Sequence, residues 1–146
     1  MVISLLEDLF KQGLLKKAVK SNELAAKSLG QATYFLGEAR DLIALKKERM
    51  AVIALYNAMF HCTRALLYRD GIKEKSHYAV ARYLEYEYVE KKMIDRKYML
   101  VLDILRDYRH ESLYSLFTVD MDTDLKQYIE SCREFTGIVT KTIKPA

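Results

Sequence analysis

An all-α fold, an up-and-down bundle of four to five helices with a short extra helix at the N-terminus, follows from three features of the chain. There is a single proline, Pro145, and only five glycines in 146 residues, so little interrupts a helix. Long stretches repeat their apolar residues with the 3.6-residue helical period. The third feature is the run from Arg49 to Asp70, RMAVIALYNAMFHCTRALLYRD, which holds no formal charge between Arg49 and Arg64. That uncharged stretch is too short to span a membrane, and apolar residues lie on every side of the run, as in a helix surrounded by other helices.

Composition narrows the class further. With 51% hydrophobic and 30% charged residues, the chain can build a core, and disorder is not expected. The net charge of +4 favours an anionic partner such as RNA or a nucleotide. Cys62 and Cys132 lie in apolar helical patterns without a CxxC or Cys/His ligand cluster, so they read as reduced core residues. The opening MVISLLEDLF lacks a basic n-region, and Glu7 and Asp8 cut its apolar run short. A cytoplasmic protein is expected, with no membrane association, no metal and no cofactor.

Residues 1–20 form the appended N-terminal unit and residues 21–142 the helical bundle domain. A first amphipathic helix over about 3–18 turns Leu5, Leu6, Leu9 and Phe10 inward. Gly13 can break or bend it, and its KKAVK tail is basic. Ser21 or Asn22 caps the next helix, which runs to about Leu45. Ala26, Gly30 and Gly37 lie close to one line there, and that line is expected to admit a neighbouring backbone. Gly inside a helix costs about 1 kcal/mol against Ala, so close packing is the expected compensation.

The polar junction KKER at 46–49 leads into the central helix, which ends at the turn signal Asp70-Gly71. Ser76 caps a helix over about 77–90 that carries Tyr78, Tyr83, Tyr86 and Tyr88. Asp95 starts another over about 95–116, with Tyr98, Leu102, Leu105, Leu113 and Leu116 on its apolar arc. Asp122 caps the last, about 123–142, with Leu125, Ile129, Cys132, Phe135 and Val139 inward.

The polar residues of the core-facing arcs are where chemistry is expected. Asn57, His61 and Arg64 fall within roughly 60° of one another on the central helix. Arg106 and Arg109 fall inside the apolar arc of the later helix, His110 lies at its edge, and Glu111 and Tyr114 follow. If the two stripes face each other, they enclose a cationic, histidine-containing cleft. Guanidinium groups there would hold phosphate and stabilise developing negative charge, and a histidine would move a proton near neutral pH. A structural alternative stands beside this. Asn57 and His61 can be satisfied core groups that fix helix register, and Arg106 and Arg109 can pair with Asp103, Asp107 or Glu111. The Glu74-x-x-His77 spacing lacks the second motif and the extra glutamates of a di-iron bundle.

The stretch YNAMFHCTRALLYRDGIKEKSHYAVARYLE resembles the signature region of the HEPN domain family, and the later LRDYRHESLY resembles its second signature. Together with the flanking helices the resemblance covers most of residues 21–142. It implies a helical bundle, usually a homodimer, that binds RNA or a nucleotide. Family members include partners of a small nucleotidyltransferase in toxin–antitoxin or defence modules, and metal-independent endoribonucleases. By that resemblance Arg109 and His110 match the arginine and the polar position of the ribonuclease motif, as candidate catalytic residues, with Asn57, His61, Arg64, Arg106 and Tyr114 as candidate ligand-binding residues. Tyr114 stands where the motif's downstream histidine is expected.

Overall fold

The computed structural model describes residues 2–115 and 125–144, the first three of these without side-chain detail. Among the described residues the chain is all-α apart from one two-stranded sheet. The elements are α1 (Val2–Lys11), β1 (Leu15–Lys17), α2 (Asn22–Ala44), α3 (Glu48–Asp70), β2 (Ile72–Glu74), α4 (His77–Tyr83), a π-helical segment Leu84–Val89, α5 (Arg96–Tyr114) and α6 (Leu125–Ile143). Leu116 and the Asp122 cap expected from the sequence lie outside the described residues.

Helix α3 is the centre. Val52, Leu55, Tyr56, Met59, Cys62, Leu66 and Leu67 are all but inaccessible to solvent, and α2, α5 and α6 pack on its different sides. By length and composition α3 could cross a membrane, but most of it is buried inside the bundle.

Small side chains let α2 approach α3, but they are not the expected ones. The buried positions of α2 are Ala25, Ser28, Ala32, Leu36 and Ala39. Ala26 and Gly30 are exposed, and a Cβ at Gly30 or Gly37 would meet nothing within 4 Å. The inward stripe is centred on Ala25, and Gly30 lies about 140° round the helix from it. Ser28 Oγ donates to the carbonyl of His61 at 2.6 Å and pins the two helices together.

The N-terminal helix is shorter than expected. It ends at Lys11, Gly13 takes the left-handed conformation with φ +73°, and the basic tail becomes a strand. β1 pairs antiparallel with β2, Leu15 opposite Glu74 and Lys17 opposite Ile72. Leu9 and Leu15 join the main core. Where α3 ends, Gly71 has φ +75°, and a Cβ there would sit 2.8 Å from the Ala18 carbonyl oxygen. Only glycine meets both demands.

The helix after Ser76 is also not α-helical to its end. Ser76 Oγ accepts from Ala79 N at 3.0 Å as a true N-cap, but from Leu84 the backbone widens into the π-helical segment. That segment turns Tyr88 inward. Tyr83 and Tyr88 donate to one oxygen of Asp70, at 2.9 and 2.6 Å, and burial beside that carboxylate pushes both phenols' pKa values up. In α5 the inward line centres on Leu105 and Ser112. Leu113, about 80° from Leu105, is therefore exposed instead of joining the core.

Asp70→Ala removes the acceptor for two buried hydroxyls. It is expected to lower stability by about 2–4 kcal/mol, read as the shift of the urea midpoint. Tyr88→Phe should lose about 1 kcal/mol.

Candidate functional site

The first half of the site lies where α3, α4 and α5 meet. The Ser76 cap makes His77 the first residue of α4. Its ring stacks on Phe60, with centroids 4.3 Å apart, and on Tyr56 at 5.8 Å. His77 Nδ1 and Tyr56 Oη are 2.7 Å apart. Arg109 reaches in from α5 with its guanidinium carbon 5.5 Å from the centre of the Tyr56 ring. Arg106, one turn earlier, lies 5.9 Å from the Tyr78 ring, and Arg82 approaches the same ring at 5.4 Å. Asp103 serves two of these cations: Arg82 donates to it at 2.5 Å and Arg106 pairs with it at 3.1 Å. Arginine packed on an aromatic ring gains cation–π attraction while its edge stays open to an anion.

The second half is a groove of about 880 Å³ between α2 and α3. His61 lies parallel to Phe35, 5.6 Å between centroids and 4° between planes. Arg64 pairs with Glu74 of β2 at 2.6 Å and covers the Tyr68 ring at 5.1 Å. Phe60 joins the halves: its face meets His77 and it meets the His61 ring edge-on, 5.6 Å away.

Burial first, and neighbouring charge second, favour the neutral form of both histidines. The pKa of His61 is lowered first by burial and next by the Arg64 charge. That of His77 is lowered first by burial and next by Arg109, with Arg106 and Arg64 adding to the effect. His77 is exposed as a residue, but its ring is flanked by Tyr56 and Phe60, and this is where hydration is lost. Glu74 opposes the shift at both rings without reversing it. Burial pushes the Tyr56 hydroxyl up to about 12, so it is protonated.

The residues expected from the sequence are distributed unevenly. Arg106 and Arg109 face the cluster, and Arg64 and His61 line the groove beside it. Asn57 is half-buried on α3. His110 and Tyr114 are exposed on α5, their rings 4.9 Å apart. Arg109 meets α3 at the Tyr56 ring, and its charge is felt at His77 of α4. Asp103 pairs with Arg106, as the structural alternative for that arginine expected, whereas Tyr56, His77 and Phe35 escaped the sequence reading of the site. The Ser76 cap was the available signal for His77, because the cap fixes His77 at a helix N-terminus beside the central helix. Among the described residues no group of three His, Cys, Asp or Glu side chains could hold a metal ion.

A family model, the HEPN domain, matches residues 25–143. The searches of curated proteins and of solved structures return no match.

Stability should depend on pH through the two histidines. Their folded pKa values lie below the ordinary 6.5, so the unfolded chain binds protons first as pH falls. The stability held above pH 6.5 is lost as pH drops through the folded values. Urea midpoints measured from pH 7.5 to 5.5 should fall, and the double variant His61→Gln/His77→Gln should flatten that slope.

Proposed function

The chain belongs to the HEPN domain family, whose domain is nucleotide- and RNA-related, and we propose that it binds single-stranded RNA or a nucleotide at the face formed by Tyr56, His77, Arg106 and Arg109. In this reading it is the cytoplasmic partner of a small nucleotidyltransferase in a toxin–antitoxin or defence module. One observation carries the binding face: Arg82, Arg106 and Arg109 converge on two tyrosine rings and share two carboxylates, Asp103 between Arg82 and Arg106 and Glu85 beside Arg82. That surplus of guanidinium suits phosphate oxygens, which accept paired N–H bonds, and the exposed Tyr78 ring offers a stacking surface for a base.

A second reading, a metal-independent endoribonuclease, is favoured by the neutral His77 beside those arginines. With Nδ1–H donated to Tyr56 Oη, Nε2 is free to take the proton of an RNA 2′-hydroxyl. The 2′-oxygen then attacks the adjacent phosphorus, Arg106 and Arg109 hold the non-bridging oxygens, and the 5′-oxygen leaves with a proton from solvent. With the other tautomer, Nε2–H is a donor to a bound phosphate and no base is present. Tyr114, in place of the motif's histidine, weighs toward binding alone.

Fluorescence anisotropy with a labelled RNA hexamer and with a mononucleotide tests the face. Arg109→Ala should weaken binding at least about tenfold, a loss of roughly 1.4 kcal/mol or more. Lys141→Ala, an exposed change on α6, should stay within about twofold. If the protein is a nuclease, the wild type cleaves the hexamer in excess EDTA, and Arg109→Ala and His77→Ala abolish cleavage, with His110→Ala separating the role expected for His110 from that of His77. Binding and cleavage undiminished in Arg109→Ala would remove this face from the function.

The proposed assembly is a symmetric homodimer through α5. Leu100 and Ile104 form one exposed apolar line on that helix, and Leu113 and Tyr114 are exposed at its end, the kind of surface that a second copy covers. Light scattering should give twice the 17.0 kDa chain mass, and Ile104→Glu should return it to the monomer.

A further inference from the structure

The groove between α2 and α3 lies outside the arginine face. We infer that it is a nucleobase pocket, which takes one unstacked base of the strand whose phosphate rests against Arg106 and Arg109. The inference rests on the RNA-or-nucleotide reading above and adds a second subsite to it.

Four observations carry it. The first is position. Phe60, itself buried, packs against His61 on the groove side and His77 on the arginine side, so one ring separates the two sites and a single strand passing over it reaches both. The second is the wall. Tyr34, Phe35, His61 and Tyr68 present flat rings around one space, and Tyr34 is 60% exposed, free to close over a base. Stacking on such rings tolerates any base, because every base has a π-face. The third is charge and polarity. Lys27 and Arg64 are the charged residues of the lining, with no carboxylate among them, and Gln31 supplies an amide for a base edge. Both cations already have a carboxylate outside the lining, Lys27 with Glu23 at 3.3 Å and Arg64 with Glu74 at 2.6 Å, so the pocket holds a base by its rings, with Arg64 over Tyr68 as the cation fixed in the wall.

The fourth observation is Gly30. It sits in the middle of α2, where glycine weakens a helix. Its φ is unremarkable for an L-residue, and a Cβ would meet nothing within 4 Å. Neither backbone conformation nor packing in this chain requires glycine there. Gly30 is, however, part of the groove wall, and a side chain at that point would project into the space between the rings. Glycine is the residue that allows a ligand to approach a backbone closely.

The test separates stability from binding. RNA hexamers carrying 2-aminopurine at each position in turn are titrated with wild type, Gly30→Ala, Gly30→Leu, Tyr34→Ala and Arg109→Ala. Wild type should quench the fluorescence at one position, and an abasic nucleotide at that position should weaken its binding about tenfold. Gly30→Ala should raise the Tm by about 3–5 °C. Gly30→Leu should fold with a Tm no lower than wild type, lose the quenching, bind the hexamer about tenfold more weakly and no longer distinguish the abasic strand. Tyr34→Ala, an exposed change that leaves the core intact, should lose about fivefold and serves if Gly30→Leu fails to fold. If Gly30→Leu and Tyr34→Ala bind and quench as wild type does while Arg109→Ala loses both, the base pocket is overturned and the arginine face stands. Binding that depends on Gly30 and Tyr34 equally for intact and abasic strands also overturns it. No RNA binding by wild type would overturn the face and the pocket together.

Discussion

Helix α3 carries no charge from Met50 to Thr63, and the rest of the molecule is arranged to cover it. Each fully buried Leu, Met or Val contributes roughly 1.5–3 kcal/mol against exposure, and α3 has many of them. A single net hydrogen bond contributes about 1 kcal/mol. Apolar burial therefore sets how stable the bundle is, while polar contacts decide how its elements are rotated. Ser28 on the His61 carbonyl, the two tyrosines on Asp70 and the Glu74–Arg64 pair each tie a different element to α3. The β1–β2 ladder matters for the last of these, since it holds β2, and hence Glu74, in register.

The same arrangement concentrates positive charge on one side of α3. Arg106 and Arg109 follow Leu102 and Leu105 on a helix whose inward line ends in a small polar residue, Ser112. Where the apolar residues run out, α5 has arginines at the edge of the packed face, and they lie against tyrosine rings instead of in water. Asp103 compensates Arg82 and Arg106 together. Glu85 gives Arg82 a second carboxylate at 3.4 Å, so three guanidinium groups share two carboxylates, with Arg109 held over the Tyr56 ring. A part-desolvated cation so placed is unfavourable for stability alone, and this is the physical reason for reading the face as one that awaits an anion.

Much of this was legible in the sequence. The central helix, its Gly71 end and the Ser21, Ser76 and Asp95 caps follow from local chemistry that tertiary contacts did not override. Cys132, Phe135 and Val139 are buried, as the period of α6 requires. What was not legible depends on neighbours distant in sequence. The segment after Gly13 has no period that separates a frayed helix from a strand, and only pairing with residues 72–74 decides it. Gly30 and Gly37 share a line on a helical wheel, but which line faces α3 is fixed by Ala25, Ala32 and Ala39. In the site, the arginines were found because charge on an apolar arc is conspicuous. Tyr56 and His77 were not, since a tyrosine in an apolar run reads as core, and His77 comes within reach only after β2 reverses the chain.

The position of His77 links recognition to protonation. Its pKa is held down by burial and by Arg109, Arg106 and Arg64, that is, partly by the very cations a phosphate would neutralise. An anion seated between Arg106 and Arg109 offsets their share of that depression and leaves the shares of burial and of Arg64. His77 therefore becomes easier to protonate when the face is occupied, and occupancy becomes tighter when His77 is protonated, because linkage is reciprocal. The Tyr56 hydroxyl turns this into a choice of role. A protonated His77 donates from Nδ1 to Tyr56 Oη and from Nε2 to the phosphate, which is a clamp; the neutral ring with Nδ1–H keeps Nε2 as a base. Under the proposed reading, acid conditions favour the clamp and neutral conditions the base.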